Sequence, residues 1–208
     1  MPRILITAFE PYERWAKNAS WLTLIEFTKT LDTRIPITTR LYPVDFVRVR
    51  QRLEIDLAGN YDYAIHLGQA PGTAAIQLEA IGLNVGPSDE DANGFLRPLE
   101  EQGPLAYGTS LPLGQWRGVL QEAGIPAILS YHAGTYLCNA TLYLSRYLSQ
   151  QRGLPTQAMF MHVPLDPSQT AGDSEPSPSL PADISARALG LIVEQMVKQS
   201  QLRDLELA

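Results

Sequence analysis

Short apolar runs and amphipathic stretches take turns along almost the whole chain. Ile4 to Thr7, Thr38 to Val44, Tyr63 to Leu67, Ile125 to Leu129 and Gln157 to Val163 are short, mostly apolar or β-branched, and bounded by turn formers. That pattern predicts strands, most of them buried. Between the runs the apolar positions move to helical spacing. Trp21, Leu24, Ile25 and Thr28 share one face behind a cap at Asn18 or Ser20. Phe46, Val49, Leu53 and Leu57 do the same behind Asp45, with Gly59 as the stop. Pro112 opens a helix through Trp116 and Leu120 that closes at Gly124. Leu137, Thr141, Leu144 and Leu148 mark another, and Ile184, Leu191, Ile192 and Met196 a last one from Asp183 to about Gln199. Capping residues accept free first-turn N–H groups, Pro fits an opening and Gly a close.

Three stretches break the rhythm. AIQLEAIGLNV, from Ala75 to Val85, alternates apolar with other residues and predicts extended chain. Pro87 to Gly108 is polar, with the acidic run Asp89-Glu90-Asp91, and predicts a long excursion that is partly a hairpin. Asp166 to Pro181 is rich in Ser, Pro and Asp and predicts a loop without room for a helix, while the tail from Arg203 should fray. Strands alternating with helices predict an α/β fold, a three-layer α/β/α sandwich with a largely parallel, mixed central sheet. We expect one domain spanning residues 1–208.

Composition narrows the classes. A net charge of −6 argues against nucleic acid as a partner. No apolar run is long enough to span a bilayer, and no N-terminal signal pattern precedes the first strand, so no membrane association is expected. One cysteine excludes an internal disulfide and fits a reducing cytoplasm. With three histidines and no close ligand pair, a metal site is not expected.

That single cysteine, Cys138, falls where the Ile125–Leu129 run and an Ala-Gly-Thr turn have ended and a helix begins. Free N–H groups and the helix dipole there favour a thiolate and suit an oxyanion. A lone cysteine is more often a small buried hydrophobe, so its neighbours decide. A nucleophilic thiol needs a base and a group to orient it. His66, His132 and His162 are the candidate bases, and spacing does not choose among them. Glu79, between Ile76, Leu78, Ile81 and Leu83, is a candidate buried and paired acid. Ligands of such sheets bind beyond strand C-termini, where His66, Cys138 and His162 are expected to gather. The loop after the first run holds Phe9, Tyr12 and Trp15, which either fold back on the core or line a ligand site.

Four blocks, in order, carry a resemblance: TAFEPYERWAKNASW, HLGQAPGTAAIQLEAIGLNV, SYHAGTYLCNATLY and MFMHVPLDPSQ. They resemble pyroglutamyl peptidase type I, the pyrrolidone-carboxylate peptidases, with GPLAYGTSLP and PSPSL as weaker matches. The resemblance implies a cysteine peptidase that removes N-terminal pyroglutamate (5-oxoproline) from peptides through a thioester acyl-enzyme. Carried over by position, Cys138 is the nucleophile, His162 its base and Glu79 the group that orients the histidine. Phe9 and Tyr12 match the aromatic residues of the pyroglutamyl pocket, with Gln69 a further substrate contact. The resemblance also implies an α/β/α fold, pyroglutamylated peptides as partners, no cofactor, and a homotetramer as the expected assembly. The chain departs from the family at Ala8, Glu13 and Arg14, where glycines are usual, at Gln77, Ala80 and Gly82 beside Glu79, and at His132. Asp89 stands where the family has an arginine. Two other readings stay open: a related thiol amidase with another small acyl or lactam substrate, and a binding protein that keeps the pocket without turnover.

Overall fold

The computed structural model describes residues 1–87 and 96–206. Its elements run β1 (Ile4–Phe9), α1 (Ala19–Lys29), β2 (Ile37–Tyr42), α2 (Phe46–Leu57), β3 (Tyr63–Ala70), β4 (Ile76–Glu79), β5 (Ile81–Leu83) and β6 (Gly86–Pro87). They continue with β7 (Leu96–Arg97), β8 (Ala106–Gly108), α3 (Leu113–Glu122), β9 (Ala127–Ser130), α4 (Leu137–Gln151), β10 (Gln157–Pro164), α5 (Pro167–Thr170) and α6 (Ala182–Glu206). Six strands form the main sheet in the order β2-β1-β3-β10-β4-β9. The first four in that order are mutually parallel; β4 is antiparallel to β10, and β9 runs parallel to β4. The sheet is therefore mixed and mostly parallel.

Strand alternation sorts side chains onto two faces. Ile4, Ile6, Ile65, Leu67, Met159 and Met161 pack against α1, α3 and α6. Leu5, Phe9, Ala64, Ala158 and Phe160 pack against α2 and α4. The core thus lies on both sides of the sheet, between helices. No helix among the described residues is long and apolar enough to cross a membrane.

Local chemistry explains the boundaries, including those that depart from expectation. Asn18 caps α1 by accepting from Ser20 N at 3.0 Å, and Asp45 caps α2 by accepting from Arg48 N at 2.7 Å. The buried face of α1 is Ala19, Ser20, Thr23, Leu24 and Phe27, leaving Thr28 exposed. Ser20 Oγ accepts from Phe9 N at 3.1 Å, and that bond turns the polar side of the first turn inward. After α2 the left-handed residue is Asn60 (φ 59), not Gly59. Gly59 is needed for space, since a Cβ there would lie 2.7 Å from the Tyr61 ring.

The Ala75–Val85 stretch is two strands in two sheets. Ala80 ends the first, its N–H donating to Ser130 O at 2.8 Å, and β5 then pairs with β8. β6 and β7 form the expected hairpin stem, while the run Asp89-Glu90-Asp91 lies outside the described residues. One helical turn, α5, does fit between Asp166 and Pro181, because Asp166 and Gln169 form a capping box. Nor does α6 fray at Arg203. That guanidinium lies 5.4 Å over the Tyr63 ring and donates to its hydroxyl.

Candidate active site

Leu78 and Met161 belong to the core on the α1 side of the sheet, so their neighbours Glu79 and His162 project toward α4. The antiparallel register sets Glu79 level with Phe160, and His162 lies two residues further along β10. From there His162 Nδ1 meets Glu79 Oε1 at 2.7 Å. Glu79 is fully buried and His162 is 8% exposed. Cys138, in the first turn of α4, stands close enough to the same ring for its sulfur to act on the ring's pKa. With Nδ1 taken by Glu79, the nitrogen left for the sulfur is Nε2. Burial opposes charging this ring. The charge and hydrogen bond of Cys138, joined by those of Glu79, outweigh burial and push the His162 pKa up to about 10.

Two residues let α4 bring its sulfur this close. A Cβ at Gly68 would lie 2.9 Å from Cys138 Sγ and 2.7 Å from the Phe160 ring, so only glycine leaves the space. Asn139 ties the helix start to β5: its Oδ1 accepts from Leu83 N at 2.8 Å, and its Nδ2 donates to Leu83 O and Val85 O, both at 2.9 Å. Among the described residues no side chain caps α4, which leaves its first-turn N–H groups open beside the sulfur.

Next to Cys138 a cleft is lined by Phe9, Tyr12, Val44, Gln69, Tyr136 and Leu137. Phe9 is wall and core at once, packing against Tyr42 and Phe160 with ring centroids 6.4 and 6.5 Å away. Tyr12 leans on Trp15 at 5.7 Å, and Tyr136 meets Phe46 edge-on at 5.1 Å. Burial, with the nearby Glu13 charge, raises the Tyr12 pKa and keeps its hydroxyl neutral. Gln69 is 6% exposed, its Oε1 accepting from Ala19 N and Gln169 Nε2, each at 3.1 Å. A larger groove between α1 and α6 presents charged rims over an apolar floor and holds neither cysteine nor histidine.

A thiol, an imidazole and a carboxylate in series beside an aromatic cleft can do the chemistry of a cysteine hydrolase. The sequence profile of pyroglutamyl peptidases matches residues 2–199. This chain belongs to the pyroglutamyl peptidase family. The pyrrolidone-carboxylate peptidase of Clavibacter michiganensis subsp. michiganensis is 33% identical over 182 residues, covering 85% of this chain and 84% of that protein. Pyrrolidone-carboxylate peptidase 1 of Ralstonia nicotianae is 32% identical over 212 residues, covering 97% and 95%. Among solved structures, the pyrrolidone carboxyl peptidase of Fervidobacterium islandicum AW-1 superposes with a TM-score of 0.87. It is 32% identical and covers 95% of this chain and 99% of its own.

In this family member Glu79, Cys138 and His162 come together, and Phe9, Tyr12 and Gln69 surround the cleft beside them. Trp15 does not line the cleft; it backs Tyr12 and carries the Arg14 guanidinium 5.0 Å over its ring. His66 is not at a strand end. It is fully buried in mid-strand, with Nδ1 2.8 Å from Thr7 Oγ1, and burial alone lowers its pKa to about 3. His132 is exposed in the turn after β9, where its Nδ1 accepts from Gly134 N at 3.1 Å. Gln69 sits on β3, which runs on to Ala70, and not in a loop. Gly68, Asn139 and Gln169 fall inside the quoted blocks, but no role was read for them, because their importance lies in distances between distant segments.

Proposed function

We propose that this chain removes N-terminal pyroglutamate from peptides, with Cys138 as nucleophile, His162 as base and acid, and Glu79 as the acceptor that orients His162. The observation that carries the reading is the Glu79–His162–Cys138 series beside a cleft with aromatic walls and one buried amide. An uncharged lactam ring has no α-ammonium to neutralise, and Phe9, Tyr12 and Tyr136 suit its faces.

In the first step the Cys138 thiolate, paired with the His162 imidazolium, attacks the carbonyl carbon joining pyroglutamate to the next residue. The oxyanion that forms lies beside the open first-turn N–H groups of α4. His162 Nε2 gives its proton to the leaving nitrogen as the C–N bond breaks, leaving a thioester on Cys138. Water then loses a proton to Nε2 and attacks the thioester. The C–S bond breaks, pyroglutamic acid leaves, and the thiolate–imidazolium pair is restored. Glu79 holds the ring by Nδ1 throughout.

The same reading takes the whole chain as one peptidase unit working as a cytoplasmic homotetramer, which sedimentation would check. The central test is hydrolysis of pyroglutamyl-7-amino-4-methylcoumarin. Wild type should release the coumarin, and Cys138→Ala should lose at least about 10³-fold of that rate with its fold intact by circular dichroism. Equal rates for the two proteins would exclude the thiol mechanism.

A further inference from the structure

We infer that Gln169 sets the polarity of the substrate cleft: it holds Gln69 in the one amide orientation that turns a hydrogen-bond donor toward the ligand, so that the cleft selects a ring carbonyl. This rests on the pyroglutamyl reading above and adds to it a residue that touches no substrate.

An amide's oxygen and nitrogen have nearly the same shape, so its orientation must come from partners of fixed polarity. Both glutamines have such partners in the backbone. Ala19 N–H can only donate, which makes the Gln69 atom 3.1 Å away the oxygen. Asp166 N–H can only donate, which makes the Gln169 atom 2.9 Å away Oε1. The Lys17 carbonyl can only accept, which makes the Gln169 atom 3.0 Å from it Nε2. That Nε2 stands 3.1 Å from Gln69 Oε1 and gives it a second hydrogen bond. Two donors therefore converge on the Gln69 oxygen, and rotating its amide would set hydrogen against hydrogen at both.

What remains of Gln69 is its NH2 group. It is buried and, among the described residues, has no hydrogen-bond partner of normal geometry; Gln69 as a residue lines the cleft, where the Tyr12 hydroxyl is the polar group near it. A buried donor left unmet is costly, and a ligand acceptor placed there relieves the cost. The lactam C=O of a pyroglutamyl ring is such an acceptor. A prolyl ring has the same outline, but it carries CH2 at that place and a charged NH2 beside it, so donor would face donor. Gln169 can impose this because it is itself fixed: it completes the capping box of α5, and Asp166 Oδ2 accepts from Ala182 N at 2.9 Å to fasten that turn to α6.

The test compares wild type with Gln169→Glu and Gln169→Leu. Glutamate keeps the acceptor for Asp166 N–H but puts an oxygen where the donor stood, against Lys17 O and Gln69 Oε1. Leucine removes the donor without adding charge and guards against misfolding of the first variant. In both, KM for pyroglutamyl-7-amino-4-methylcoumarin and the inhibition constant of 2-pyrrolidone should rise together by roughly 10–100-fold. Meanwhile kcat and the rate of Cys138 alkylation by iodoacetamide should stay within about 3-fold, since the thiol is not involved. Adding Gln169→Leu to Gln69→Leu should raise KM no further, because one residue acts through the other. Unchanged KM and inhibition constant in both variants, or a loss confined to kcat or to thermal stability, would overturn the inference while leaving the pyroglutamyl reading in place. A wild type that neither cleaves the substrate nor binds 2-pyrrolidone would remove both.

Discussion

A carboxylate with no exposed surface needs its charge met by a specific partner, and for Glu79 that partner is the His162 ring. Glu79→Gln keeps the shape and removes the charge. It should leave the fold intact but lower kcat on the order of 10–10⁴-fold, as loss of an orienting carboxylate does in other triads. Wild-type turnover in that variant would reduce the site to a Cys–His dyad. Gly68→Ala probes the other side of the sulfur, where the added methyl would meet Cys138 Sγ and the Phe160 ring at under 3 Å. Iodoacetamide alkylation and turnover should both fall by about 10-fold or more, given how steeply rate depends on placement; alkylation at the wild-type rate would show that the glycine is not needed for room. That Cys138, His162 and Glu79 would come together was legible in the sequence, where chemistry and motif coincided. Residues were illegible where the role is a distance, as at Gly68, or where a strand ran past its apolar run, as at Gln69.

Helix α4 holds Cys138 in place against β5, and Asn139 supplies two bonds to Leu83 of that strand and a third to Val85 just beyond it. Asn139→Ala strands the Leu83 and Val85 backbone groups beneath the helix. It should destabilise the chain by roughly 2–4 kcal/mol in urea unfolding, from one buried amide and its unmet partners. A cost below about 0.5 kcal/mol would mean that water replaces the side chain. Most caps were readable, since Asn18 and Asp45 are strong N-cap residues ahead of amphipathic runs. The inward face of α1 was not, because Ser20 is polar and buried through a bond to Phe9 that no pattern announces. The break at Ala80 was passed over by reading the stretch as one alternating run. Ala80 and Ile81 stand together, so the alternation shifts phase where the backbone changes sheets.

Two histidines give the whole molecule opposite limbs in pH. His66 is held neutral, its pKa down to about 3, so from the ordinary value of ~6.5 downward the unfolded chain takes up a proton that the folded chain refuses. Its contribution is whole above ~6.5 and lost as acid is added. His162, up to about 10, keeps a proton that a free ring has lost. Its contribution is whole below ~6.5 and lost as pH rises toward 10. Urea midpoints should therefore fall on both sides of neutrality, His66→Gln flattening the acid limb and His162→Gln the alkaline one. A variant that left its limb as steep as wild type would refute that assignment. At this scale the sandwich was readable, because alternating strand and helix patterns admit few architectures. Strand order was not, since nothing local tells β4 and β9 to run against β10. That order has a consequence in time. β10 is the last of the strands to leave the ribosome, yet it fills the middle of the main sheet, between β3 and β4. Until it arrives, β3 and β4 both lack the partner that lies between them in the main sheet. His162 comes with the strand that fills this gap, so it can meet Glu79 and Cys138 only late in the chain's synthesis.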